Sequence, residues 1–278
     1  MPGELVLTGD DFGASAEVNE AVEASHRDGL LTSASCIVTG PAFDDAAERA
    51  RRLPELATGL HVVLCDGRAA SPPGKIPGLA GADGRFEASA ARAGLRYWRR
   101  RRELRPQLER ELRAQLERFA ATGLRLDHVD GHHHLHLHPV VFDVLAPLLA
   151  DYRVPWVRLL HEDGLARAGA PRPGDLVPAV FVALSRRARA KAAAAGAQGP
   201  ARVYGLRATG RLGEAELARL IRGLRAPTVE IYLHPSRRDA AGRAEEAALC
   251  SVAARQALKE SGYRLTSTRR LGRAEGRG

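Results

Sequence analysis

Short apolar runs rich in β-branched residues alternate with helix-patterned stretches along most of this chain. That alternation restricts the fold to a mainly parallel sheet assembled from βα units. Residues 4–9 read as a buried strand, 15–29 as a helix capped by Ser15 and closed by Gly29, 31–39 as a strand and 42–52 as a helix. Strand character returns over 56–64. Leu108, Leu112, Leu116 and Phe119 then recur at helical spacing and mark an amphipathic helix over 103–122. A strand at 124–131 precedes a helix at 139–151 and a strand at 154–160. The last third resumes the pattern, with strands at 201–209, 228–235 and 262–267 separated by helices at 213–224 and 243–260.

About seven such units predict an α/β fold, a distorted or incomplete (β/α) barrel of mostly parallel strands. No GxGxxG follows the first strand, which argues against a dinucleotide-binding sheet. At 278 residues the chain suits one domain spanning 1–278. Two regions interrupt the regularity. A Gly/Pro/Ala-rich loop and helical insertion covers about 65–105, too long for a tight connection and read as a functional loop or lid. A helix-prone excursion covers about 161–200.

The alternation also fixes where chemistry would collect. Asp10-Asp11, His61, His132 and His234 each fall at the C-terminal end of a predicted strand, the face on which parallel barrels carry their active sites. The segment Asp127–His138 holds six of the ten histidines and two carboxylates. Imidazole and carboxylate are the ligands of a divalent cation. A tag or metal-buffering tract is the plain alternative, but this run is internal, interrupted by leucines and set between a strand and a helix. Asp130, His132, His134 and His136 have period-two spacing and share one face if the extended backbone persists. One or two would ligate, and the others would orient ligands or touch substrate. His128, His133 and His138 read as structural or peripheral.

Asp10 and Asp11 can divide a hydrolytic task, one holding the ion and one taking a proton, or DDFG can be only a turn. His61 is either a ligand or a hydrogen-bonded core histidine. His234, stopped by Pro235, is a candidate general acid or oxyanion contact; the alternative is a buried pair with Glu230 on the same strand face.

Composition narrows the setting. No run of about 18 apolar residues exists, so no spanning helix is expected. The N-terminus lacks a basic segment followed by a long apolar one, which points to a cytoplasmic protein. Cys36, Cys65 and Cys250 lack CxxC spacing and are expected to be reduced thiols. The net charge of +9 is concentrated in Arg96, Arg99–Arg102 and Arg105, and in Arg186, Arg187, Arg189 and Lys191. These clusters read as solvated helix faces or as a peripheral contact with the inner face of a membrane. Nucleic acid is not expected as a partner, because few aromatics accompany the arginines and no nucleic-acid-binding motif is present.

Four motifs in order resemble the YdjC-like carbohydrate deacetylases, the ChbG family. They are Thr8-Gly9-Asp10-Asp11-Phe12-Gly13, Gly59-Leu60-His61, Asp130-Gly131-His132-His133-His134-Leu135-His136 and His234-Pro235. The chain departs from the family at Thr8-Gly9, where Asn-Ala is usual. The resemblance implies a distorted (β/α) barrel, frequent homodimers, and removal of an N-acetyl group from an amino sugar. It implies Asp11, His61 and His132 as ligands of one divalent metal ion: magnesium or zinc first, manganese or cobalt as alternatives. It implies Asp10 as general base and His234 as acid or transition-state contact. Asp130, His134 and His136 would bind substrate or orient ligands. The Arg-rich segment before residue 103 and the LDHVDGHHHLHLHP and TVEIYLHP segments resemble, more narrowly, the hopanoid biosynthesis-associated branch, HpnK. That branch implies an N-acetylglucosaminyl hopanoid, a glycolipid, as substrate. The rivals are a deacetylase of soluble chitooligosaccharides, a different metal-dependent hydrolase, and a non-enzymatic, basic membrane-associated binding protein.

Overall fold

The computed structural model describes residues 2–163, 165 and 176–274. Its elements are β1 (Glu4–Phe12), α1 (Ala16–Arg27), β2 (Ser33–Cys36), α2 (Phe43–Arg51), β3 (Ala57–Val62), α3 (Ala90–Arg99), α4 (Arg101–Ala120), β4 (His128–Gly131) and α5 (Pro139–Asp151). There follow α6 (Leu176–Ala194), β5 (Arg202–Tyr204), α7 (Glu214–Gly223), β6 (Thr228–Leu233), α8 (Ala240–Cys250), α9 (Val252–Ser261), β7 (Arg264–Thr266) and α10 (Thr268–Ala274). A 3-10 turn, His132–Leu137, joins β4 to α5.

All paired strands are parallel, in the order β4-β3-β2-β1-β6-β5, with β7 paired to residues 4–6 of β1. β1 lies in the middle and is buried along nearly its whole length, as a strand covered on both faces must be. This is the incomplete barrel that the alternation predicts. The expected strand at 154–160 forms only two isolated bridges, Val157 with Val129 and Trp156 with Gln198. Pro155 lacks an N–H and cannot extend a ladder. The segment still crosses from β4 to β5: Val129 N–H donates to Trp156 O at 3.0 Å, and Val203 N–H to His161 O at 3.2 Å.

One other expectation needs correcting. The helix read over 243–260 is two helices, because Ser251 has extended backbone and its hydroxyl caps α9 by accepting from Ala254 N–H at 3.0 Å. The insertion at 65–105 is bonded to the rest of the barrel at several points. The fully buried Glu111 carboxylate accepts from Ala70 and Ser71 N–H at 2.8 and 2.9 Å, Gln107 accepts from Gly78 N–H, and Tyr97 Oη donates to Leu64 O at 2.6 Å. Buried loop backbone needs such partners. In the excursion at 161–200, α6 covers 176–194 and packs on α5; the rest of its first half lies largely outside the described residues. No helix among the described residues is long and apolar enough to cross a membrane. All three cysteines are free.

Candidate metal centre

The site begins with an irregularity in β1. Its pairing with β2 shifts register between Gly9 and Phe12, and Asp11 has φ 63°. In a regular strand consecutive side chains point to opposite faces. The left-handed turn at Asp11 instead brings both aspartates to the inner end of the barrel. Such backbone costs on the order of 1–3 kcal/mol and persists where surrounding structure enforces it.

Asp11 Oδ1 is 3.5 Å from His61 Nε2 and 3.4 Å from His132 Nδ1. These three donors come from the ends of β1, β3 and β4, and all lie within 4.8 Å of one another. Asp11 Oδ1 is buried and has no hydrogen-bond partner among the described residues. Burial works against ionising Asp11, but the close approach of His132 and the charges of His61 and His234 prevail and hold its carboxyl well below the usual range. A buried, orphaned carboxylate oxygen between two imidazole nitrogens is a set of donors that fits a divalent cation.

His61 is held from behind. It is buried, with Nδ1 2.8 Å from Asp130 Oδ1, leaving Nε2 aimed at Asp11. Carboxylate–histidine pairs of this kind fix the ring and tautomer of metal ligands. Ser35 Oγ donates to the same Asp130 oxygen. Burial disfavours a charged His61, but Asp130, Asp10 and Asp11 outweigh it and lift the imidazole to about 9. The pocket therefore favours positive charge at this point. Gly59 explains the glycine of the motif around His61: a Cβ there would lie 2.3 Å from the His128 ring.

Asp10 is placed differently. It is buried, and both its oxygens accept from Arg158, at 2.6 and 2.7 Å. Arg158 is itself buried, donates to Glu230 at 2.9 Å, lies 2.8 Å from Asp130 Oδ2 and stacks 4.5 Å from the Tyr232 ring centroid. One guanidinium thus serves three carboxylates, and Asp11 adds a fourth nearby. The surplus negative charge is what a cation would offset.

The structure brings Asp10, Asp11, His61, Asp130 and His132 together. It separates the rest of the histidine run from them. The extended backbone stops at Gly131, and His133 and His134 have φ 50° and 55°, so the expected shared face of 130, 132, 134 and 136 does not form. His134 turns to Tyr232, its Nε2 2.9 Å from the hydroxyl, and packs on Phe181. His136 is fully buried, donates from Nε2 to Arg158 O at 2.9 Å, and is depressed to about 4, mainly by burial. His128 Nδ1 is 3.0 Å from Thr268 Oγ1. His234 sits at the end of β6, its N–H donating to Glu245 at 2.6 Å and its Nδ1 buried without a partner among the described residues. It does not pair with Glu230, which accepts from Arg158 and Thr8 instead.

Sequence reading missed Arg158, Ser35 and Tyr232. Arg158 carried a signal, since it is the one charged residue in VPWVRLL. Ser35 and Tyr232 carried none beyond ordinary strand composition.

The family profile described as YdjC-like protein matches residues 4–260. A carbohydrate deacetylase of Brevibacillus brevis is 40% identical over 158 residues, 55% of this chain and 58% of that protein. One from Geobacillus stearothermophilus is 40% identical over 56% of this chain and 59% of its own length. The chain thus matches less than two thirds of the length of these relatives. A solved structure from Enterococcus faecalis, described as a cellobiose-phosphate cleavage protein, superposes with a TM-score of 0.74 over 98% of this chain and 99% of its own, at 22% identity. At that identity the likeness supports the half-barrel fold alone. With the family profile covering nearly the entire described chain, this protein belongs to the YdjC-like family.

Proposed function

We propose that this protein is a hydrolase that removes the N-acetyl group of an amino sugar, with one divalent cation held by Asp11, His61 and His132. The observation that carries the reading is the buried, unpartnered Asp11 oxygen facing two imidazole nitrogens at the C-terminal end of a parallel barrel. The carbohydrate deacetylases among its relatives supply the substrate class. Magnesium, zinc, manganese and cobalt all accept such a donor set. When bound, the cation would polarise the acetyl carbonyl and acidify a water.

The protein groups have separate tasks in this reading. Asp130 orients His61 and keeps Nε2 free for the ion. Asp10 takes the proton from the attacking water, and its two hydrogen bonds from Arg158 fix the position of its carboxylate. His234, with a free buried Nδ1, contacts the developing oxyanion or protonates the leaving amine. His136 fixes the backbone of Arg158, and His134 turns toward a neighbouring groove.

That groove favours a glycolipid over a soluble oligosaccharide. A cavity of about 510 Å³ opens beside His133 and His134 and is walled by Leu95, Trp98, Val180 and Phe181. Leu95 and Trp98 are each half exposed, an unusual display of large apolar side chains beside a polar site. Arg99 to Arg102 follow directly and are exposed. An apolar aglycone, such as a hopanoid at a membrane face, fits this pairing of greasy groove and basic rim.

The test is acetate release from diacetylchitobiose and from an N-acetylglucosaminyl hopanoid, using metal-free and metal-reconstituted protein. Metal-dependent release from the hopanoid alone supports the glycolipid reading. Release from the disaccharide alone keeps the chemistry and discards the groove's role. No release from either by folded, metal-loaded protein removes the deacetylase reading.

A further inference from the structure

On the opposite side of α6 from the apolar groove lies a second cavity, of about 360 Å³, between that helix and β5. Its lining includes His161, Ser185, Arg186, Arg189 and Arg202. None of these residues belongs to the metal triad or to the network around Arg158. We propose that this cavity binds a phosphate group, with Arg186, Arg189 and Arg202 opposing its charge and the Ser185 hydroxyl donating to one of its oxygens.

Three observations support the assignment. The first is convergence of charge. Three guanidiniums from two elements face one small space, and Asp163, bound to Arg202 Nε at 3.3 Å, is the carboxylate paired with them among the described residues. Arg202 also contacts His161 Nδ1 and the Ala201 carbonyl, and Arg189 donates to Pro200 O at 3.3 Å. These bonds use three of the five N–H groups of Arg202 and one of those of Arg189, which leaves donors on both. The second is Ser185. It is 3% exposed, lines the cavity, and its Oγ has no hydrogen-bond partner among the described residues. A buried hydroxyl left unpaired is costly, and a bound anion oxygen would pair it. The third is His161. Burial, together with the fields of Arg202, Arg186 and Arg189, holds its imidazole below the ordinary value against the pull of Asp163. All three arginines therefore act on one point in the cavity.

Phosphate suits this geometry better than a carboxylate does. It offers several oxygens in a compact tetrahedron and a charge near −2, matching three forked donors with one hydroxyl. The phosphate could belong to a free phosphorylated metabolite or to a lipid headgroup; the chemistry of the contact is shared.

The experiment is isothermal titration of inorganic phosphate into the full chain, wild type and variants. Saturable binding of one equivalent is expected. The Arg186→Ala/Arg189→Ala double variant should weaken it by about tenfold or more, and Ser185→Ala by about tenfold or less. Arg189→Lys keeps the charge but loses the fork and controls for folding, alongside thermal melts of each variant. Vesicles of phosphatidylcholine with and without phosphatidic acid separate the sources. Vesicle binding that needs phosphatidic acid, is competed by free phosphate and is lost in the double variant makes a lipid headgroup the ligand. Phosphate binding with no vesicle binding makes it a soluble phosphate. Absence of saturable phosphate binding in the wild type overturns the proposal. So does binding that survives the double variant unchanged, or vesicle binding that free phosphate does not compete.

Discussion

Asp10 and Asp11 are consecutive in the chain, yet the backbone turn at Asp11 delivers them into opposite surroundings. Both Asp10 oxygens are bound by the buried Arg158, whereas Asp11 Oδ1 is buried among imidazoles with no hydrogen-bond partner among the described residues. One half of the pair is finished by the protein and the other is left for something else to finish. The same division separates Arg158 and Glu230, which hold the barrel's inner end together, from His61 and His132, with Asp130 bonded to both Arg158 and His61. Stability and ligand binding therefore rest on adjacent residues but on different contacts.

The largest effect expected from breaking this division lies on the open half. His132→Ala should lower metal-dependent activity by more than about 100-fold while leaving thermal unfolding nearly unchanged, because second-sphere losses alone reach that size. His132 is about one fifth exposed, and among the described residues its ion-pair partner is Asp11. Activity close to wild type in this variant would remove the triad as the centre. On the closed half, Arg158→Leu should cost about 3–5 kcal/mol, since it strands three buried carboxylates. Urea denaturation reads it, and a loss under about 1 kcal/mol would show that the network is not structural.

Asp130 touches both halves and sharpens the contrast. Burial opposes its ionisation, but Arg158 and His61 outweigh it and hold the carboxyl well below the ordinary range. Asp130→Asn should weaken metal binding by about 10–100-fold, through loss of the charge that orients His61. Competition with a metal chelator measures it; unchanged affinity would mean that His61 needs no orienting carboxylate.

The remaining expected effect is pH-dependent and comes from a carboxylate whose environment is dominated by burial. Glu162 is 5% exposed and burial pushes it up to about 7, against the Arg207 N–H and charge. Its folded value exceeds its ordinary one of 4.5, so its contribution to stability is complete below that pH and is lost as pH rises to about 7. The slope is at most one proton, about 1.4 kcal/mol per pH unit. The wild-type urea midpoint should fall relative to that of Glu162→Gln as pH rises from 4.5 to about 7; parallel curves would refute it.

Much of this was legible in the chain. The alternation yields the parallel barrel, and strand-end positions place Asp10-Asp11, His61, His132 and His234 at one end of it. What escaped depends on geometry that periodicity cannot carry. The period-two face of 130, 132, 134 and 136 failed because His133 and His134 adopt left-handed backbone, which nothing in a run of histidines announces. The strand at 154–160 shrank to bridges at a proline that the pattern tolerates. Arg158 was visible as a charge among apolar residues, but its partners come from β1, β4 and β6, and only the fold brings them within reach.

The backbone at Asp11 has one more consequence. Its left-handed conformation and unpaired oxygen make it a residue the folded state would hold more comfortably as glycine or asparagine. A library of variants sorted for heat resistance alone would therefore accumulate replacements at this position, and the same library sorted for turnover would purge them. Thermal screening of this scaffold would select against the proposed metal centre, starting from the single residue that Phe12 and Gly13 follow into the turn.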